Sequence, residues 1–242
     1  MNTLVKFTLS LSLIVFGLSK STAQWNKKVV GNGNITTDNI ATQSYDEVKV
    51  VGFMDVHLES GKEGNISVTT DSNIQEYVIV ELKGSTLVLR IENNVSLKTK
   101  KGVHIIVPFK SISRVALSGS GDIDTKDTIK SDFLDISVKG SGDIILKVES
   151  NNVDARVNGS GDLKVSGSTA NLKVKISGSG DVDAGKLSAE NTQVHLVGSG
   201  GARVTASESI KARINGSGDI EYSGNPKNID KKVMGSGTIS SN

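Results

Sequence analysis

From residue 119 onward the chain alternates apolar and polar residues with a period of two, interrupted at regular intervals by Gly-Ser-Gly. Two, four and six residues before the first glycine nearly every position is apolar: Leu134, Ile136 and Val138; Val153, Ala155 and Val157; Leu172, Val174 and Ile176; Ile210, Ala212 and Ile214. After the glycines it resumes with Ile144 and Leu146, Leu163 and Val165, Val182 and Ala184, Ile220 and Tyr222. Such alternation makes a strand with one buried face. Each unit therefore reads as a strand, a glycine bend and a second strand. Both glycines share the apolar parity and are expected to face inward.

Gly-Ser-Gly begins at residues 119, 140, 159, 178, 198, 216 and 235, at spacings of 21, 19, 19, 20, 18 and 19. Five copies continue with Asp (Asp122, Asp143, Asp162, Asp181 and Asp219), and Gly201 and Thr238 take its place in the others. A unit of ~19 residues cannot bury its apolar face alone, and stacking on like neighbours solves that problem. The expected fold is all-β: a β-solenoid, in the form of a right-handed parallel β-helix, because parallel crossovers are overwhelmingly right-handed. Its coils are ~19 residues long. The competing arrangement is an antiparallel meander with Gly-Ser-Gly hairpins, whose alternate turns would share no motif.

Residues 24–118 follow the pattern more loosely. Val29 and Ile35 flank Gly31-Asn32-Gly33 as a candidate early coil, and Val48, Val50, Met54, Val56 and Leu58 alternate around the single Gly52. Strands are expected near residues 66–69, 86–91 and 103–107, with Pro108 ending the last, and a helical turn within 73–81. We read 24–118 as an irregular β region continuous with the regular repeats of 119–242; a separate small β domain is the alternative.

Composition narrows the chemistry. Hydrophobic residues make up 36% of the chain and aromatics only 4%, so the core has to be aliphatic, as suits a pleated surface. Lys6, the apolar run 7–18 and Ser21-Thr22-Ala23 form a secretory signal peptide over residues 1–23. The run is shorter than the ~20 residues that a spanning helix needs. Cleavage after Ala23 implies export to the periplasm, the outer cell surface or the medium, with no membrane span remaining. It also removes Lys6 and Lys20 and no acid, which leaves 26 basic against 26 acidic residues. Nucleic-acid binders draw affinity from a basic excess, so nucleic acid is not an expected partner. There is no cysteine. Stability must come from the fold, and a thiol nucleophile or Cys-ligated metal is excluded.

The Gly-Ser-Gly-Asp repeats, the segment Gly102-Val103-His104-Ile105-Ile106-Val107-Pro108 ahead of them and the leader together resemble the head GIN domain family of putative auto-transporter adhesins, over about residues 30–240. The resemblance implies a β-solenoid-like fold, an envelope or secreted location and surface attachment. It supplies no catalytic residues.

Stacking turns each repeat position into a column, with neighbours ~4.8 Å apart. A catalytic Ser needs a His and a carboxylate arranged around one copy; seven equivalent serines suit a structural part. The Asp column is expected to accept backbone N–H bonds at the corners. Calcium is the alternative, because stacked carboxylates repel by roughly 1 kcal/mol per pair. One Asp per coil falls short of the six to eight oxygens calcium takes, so neither a metal nor a cofactor is assigned. A third column lies three residues before each first glycine: Ala116, Ser137, Arg156, Lys175, His195, Arg213 and Lys232. Its five basic or potentially basic members are the candidate binding residues, a stripe for an anionic polysaccharide or another cell-surface component. A merely solvated face is the alternative. The expected function is a non-catalytic, adhesin-like binding module. A purely structural envelope protein is the second reading, and a polysaccharide-cleaving enzyme the third, disfavoured by short uniform turns and few aromatics.

Overall fold

The computed structural model describes residues 27–242, and the predicted leader lies outside them. It is a β-solenoid of about seven turns with coils of about 19 residues. Its regular part is made of long strands in parallel register, among them Ile123–Gly140, Ile144–Gly159, Leu163–Gly178 and Val182–Gly198. Ile144, Leu146 and Val148 on one arm of a coil and Val153, Ala155 and Val157 on the other are buried in a single core. Each large aliphatic side chain so buried contributes ~1.5–3 kcal/mol. The parity breaks at Asn151 and Asn152, both exposed, where the strand turns a corner. Just before this corner, buried hydroxyls of Ser150 and Thr169 donate to the carbonyls of Asn152 and Asn171, at 3.0 and 3.1 Å. Those bonds satisfy groups that would be costly to bury alone.

The opposite corner is Gly-Ser-Gly. The first glycines stand in register from Gly119 through Gly235, and Gly52 extends the column by one coil. From Gly52 through Gly216 each carbonyl of this column accepts two N–H groups from the next coil: Gly119 takes Ser141 at 2.9 Å and Gly142 at 3.1 Å, and Gly140 takes Ser160 and Gly161 at 2.9 and 3.0 Å. The first glycines also hold φ between +122° and +144°, where a side chain is strained. A Cβ at either glycine would collide with the backbone of the preceding coil; at Gly161 it would press on the Gly142 carbonyl. The second glycines Gly121, Gly142, Gly161, Gly180, Gly200 and Gly218 are buried at the parity of the core, as expected. The tightest conflict that both glycines avoid runs along the stack, against the backbone of the coil before.

Before residue 119, order along the chain and order in the stack part company. The coil of Glu47–Gly52 and Asp55–Ser60 lies between Arg114–Gly119 with Ile123–Gly140 on one side and Thr86–Ile91 with His104–Phe109 on the other. Val78–Lys83 pairs antiparallel with Thr86–Ile91, and Asn65–Asp71 lies antiparallel to both Ile35–Ala41 and His104–Phe109. Gly31-Asn32-Gly33 is no coil. Lys27–Val30 forms a separate two-stranded sheet with Val95–Lys98, and Asp71 gathers the loop by accepting the Gly33 N–H at 2.6 Å and the Thr99 hydroxyl at 2.7 Å. The helical turn expected within 73–81 is a 3-10 turn, Gln75–Tyr77. Pro108 sits inside its strand instead of ending it. The neighbouring antiparallel ladder stops at Ile106, so the missing N–H falls beyond the last bond there.

Candidate binding face

The five candidate residues stand in one register column, Arg156 beside Lys175, His195, Arg213 and Lys232 in turn. A second column, two residues earlier in each coil, holds Asp135, Asp154 and Asp230, with Lys173, Gln193 and Lys211 on the coils between. Arg156 bonds Asp135 at 3.0 Å and Asp154 at 2.9 Å. Arg213 pairs with Asp230, and this holds the Asp230 carboxyl below its ordinary value. Lys175, His195 and Lys232 are exposed, and among the described residues none has an ion pair. The column is therefore half compensated: two guanidinium groups tie coils together, and three other members face solvent unpaired.

The Asp column is engaged between coils. Asp122 accepts the Asp143 N–H at 3.0 Å, Asp143 that of Asp162 at 2.8 Å, and Asp162 that of Asp181 at 2.9 Å. Asp219 accepts both the hydroxyl and the N–H of Thr238, which lowers its pKa, the hydroxyl most. Among the described residues no group of three or more His, Cys, Asp or Glu is set to hold a metal ion. The Ser column is exposed. His57 and His104 stack with ring centroids 6.4 Å apart, and His57 pairs with Asp124 at 2.9 Å.

One column went unread in the sequence. Seven residues before the first glycine lie Phe133, Asn152, Asn171, Asn191 and Ser209. Asn171 donates to the Asn152 side chain at 3.1 Å, Asn191 to Asn171 at 3.3 Å, and Ser209 to Asn191 at 2.7 Å. Phe133 caps this amide ladder with half its surface exposed. Together with Lys173, Gln193 and Lys211 the ladder lines a groove of about 480 Å³ beside the basic column. The recurring Asn was visible at a fixed offset and could have been found by the same count that found the basic column.

The arrangement is an extended polar face with shallow grooves, and among the described residues no helix is long and apolar enough to cross a membrane. A crystal structure of a putative adhesin from Bacteroides fragilis superposes with a TM-score of 0.85 at 23% identity, covering 88% of this chain and all of that one. A putative lipid binding protein from Parabacteroides distasonis follows with a TM-score of 0.74 at 27% identity, covering 89% and 100%. A putative adhesin from Parabacteroides merdae has a TM-score of 0.70 at 21% identity, covering 89% and 99%. No curated protein matches significantly. The family model described as putative auto-transporter adhesin, head GIN domain, matches residues 44–226. With that match spanning most of its length, the chain belongs to the head GIN domain family of putative auto-transporter adhesins.

Proposed function

We infer that the protein is an exported, non-catalytic, adhesin-like module whose outer strand face takes an anionic polysaccharide or another acidic cell-surface component. The observation that carries this reading is the line of Lys175, His195 and Lys232, exposed, in register and without ion pairs. Lys175 and Lys232, three coils apart in the column with His195 between them, present charge that a flexible acidic chain can follow, with an attraction that salt screens. Family membership supports attachment as the purpose of such a face. The periplasm, the outer surface and the medium all fit this role. The ion pairs of Arg156 and Arg213 favour the second reading, a purely structural envelope protein, because they spend part of the column on joining coils.

The two readings separate on one variant. Lys175→Glu with Lys232→Glu leaves both arginine pairs intact. Affinity for polygalacturonate, measured by titration calorimetry, should fall at least about tenfold, which is ~1.4 kcal/mol. Equal affinity of variant and parent would turn the column into a solvated, structural face.

A further inference from the structure

The column of Arg156 does not stop at Arg156. Going toward the first coils it continues through Ser137, Ala116 and Lys49 in unbroken register. Two short side chains in succession leave a depression about two coils wide, or ~10 Å, with a volume of about 440 Å³. Ala116 and Ser137 form its floor, and Lys49 closes one end. Arg114 enters from the column two residues before Ala116, and Lys139 from the column two residues after Ser137. Three cations from three consecutive coils thus converge on one hollow.

Their charge is not spent elsewhere. Among the described residues, Lys49, Arg114 and Lys139 have no ion pair, whereas Lys83, a fourth cation on the rim, sits on Glu81 at 2.8 Å. The one carboxylate in the lining, Glu47, is the neighbour of Arg114 in the ladder and accepts the Thr86 hydroxyl at 2.8 Å. Among the described residues it forms no ion pair with Arg114, so three cations face one carboxylate here. Asp135, beside Arg114 in the ladder, is taken by Arg156. A guanidinium offers a planar fork suited to two oxygens of an oxyanion. The Ser137 hydroxyl adds a donor at the floor.

We propose that this hollow is an anion pocket, which seats a sulfate, phosphate or carboxylate substituent carried by a polymer laid along the face. The proposal rests on the reading of this face as the binding surface, and names where on it the charged group is held. Lys175, His195 and Lys232 then guide the rest of the chain, and the pocket supplies the fixed point. The residues come from three different columns and from both halves of the sequence, which is why no single repeat position announces them.

The test uses the mature chain and two variants: Lys49→Gln/Arg114→Gln/Lys139→Gln, and Lys175→Glu/Lys232→Glu. Calorimetry with dextran sulfate, polygalacturonate and neutral dextran is paired with NMR titration by inorganic sulfate. The parent should bind one or both acidic polymers and not dextran, and sulfate should shift resonances around Ala116 and Ser137. The pocket variant should lose at least about tenfold in polymer affinity, ~1.4 kcal/mol, together with the sulfate response. Arg114→Gln alone serves as a milder check, expected to lose a smaller share of both. If the pocket variant binds like the parent while the Lys175/Lys232 variant does not, the pocket is wrong and the face remains the binding surface. If sulfate shifts the pocket but no acidic polymer binds, the anion pocket stands and the polymer reading falls. If neither polymer nor sulfate has an effect, both fall.

Discussion

Gly121 and Met54 take the same corner position on adjacent coils, two residues after the in-register glycines Gly119 and Gly52. At Gly121 an added Cβ would strike the backbone of Met54, yet Met54 itself carries a full side chain, completely buried. The difference lies in what precedes each coil. Gly121 has the Met54 corner directly before it. On the far side of Met54 the strands Thr86–Ile91 and His104–Phe109 are joined by residues 92–103, which leave the stack to form Val95–Lys98 and its sheet with Lys27–Val30. No corner lies there, so the side chain has room. Gly52 teaches the same lesson: its Cβ would meet only side-chain carbons at 3.7 Å and beyond, and what it still requires of glycine is φ of +134°. The second glycine of the motif is thus imposed by a preceding corner, and the regular motif starts where such corners start.

The sharpest way to break this comparison is to place a side chain where a corner lies behind it. Gly161→Val should cost on the order of 3 kcal/mol or more, while Ser160→Ala, on the exposed side of the same corner, should cost less than about 0.5 kcal/mol. Chemical denaturation of both variants decides; comparable stability of Gly161→Val and parent would remove the axial account. An effect of similar size but different origin is expected where the corner is open. Met54→Ala should lose about 2–5 kcal/mol through an unfilled core site, with the circular dichroism of the stack retained. If it proved neutral, Met54 would not be filling the space that Gly121 cannot.

The mildest test concerns Asp71, which does for the irregular half what the stacked corners do for the regular one. Its pKa lies below the ordinary carboxylate value because the Thr99 hydroxyl, and after it the Gly33 amide, hold the ionised form. A lowered folded pKa means that the stabilisation is complete above the unfolded value and is lost as the pH falls through the folded one. Asp71→Asn should therefore melt below the parent at about pH 7, and the gap should close toward about pH 3. A gap independent of pH would mean that the ionised carboxylate plays no part.

What could be read from the residues followed from the repeat itself. Period-two alternation and constant spacing specify arms, coil length and the aliphatic core, because every regular coil answers to the same neighbours. The direction in which Gly161 is constrained was not legible, since a parity count gives only in or out and the conflict runs along the stack. Nor was the insertion of residues 47–60 between strands 86–109 and 114–125, because that half contains no repeated corner to mark sequence against stacking order. On the candidate face, the column of Arg156 was visible, but the pairing of Arg156 with Asp135 and Asp154 was not. Those partners lie in an adjacent column, one of them on the neighbouring coil.

The doubly bonded carbonyls from Gly52 through Gly216 have a consequence for the size of the molecule. Residues 141–159 run from just after one such carbonyl to the next, and deleting them would join Gly140 to Ser160 and Gly161 with the same pair of N–H groups waiting to be accepted. The corner closes as before, and the aliphatic arms of 163–178 meet those of 123–140 in place of the missing ones. Adding or removing such a segment shifts the length by one step of ~4.8 Å and asks for no new joint. The fold is in this sense a ruler with interchangeable graduations, whose length is set by a single insertion or deletion.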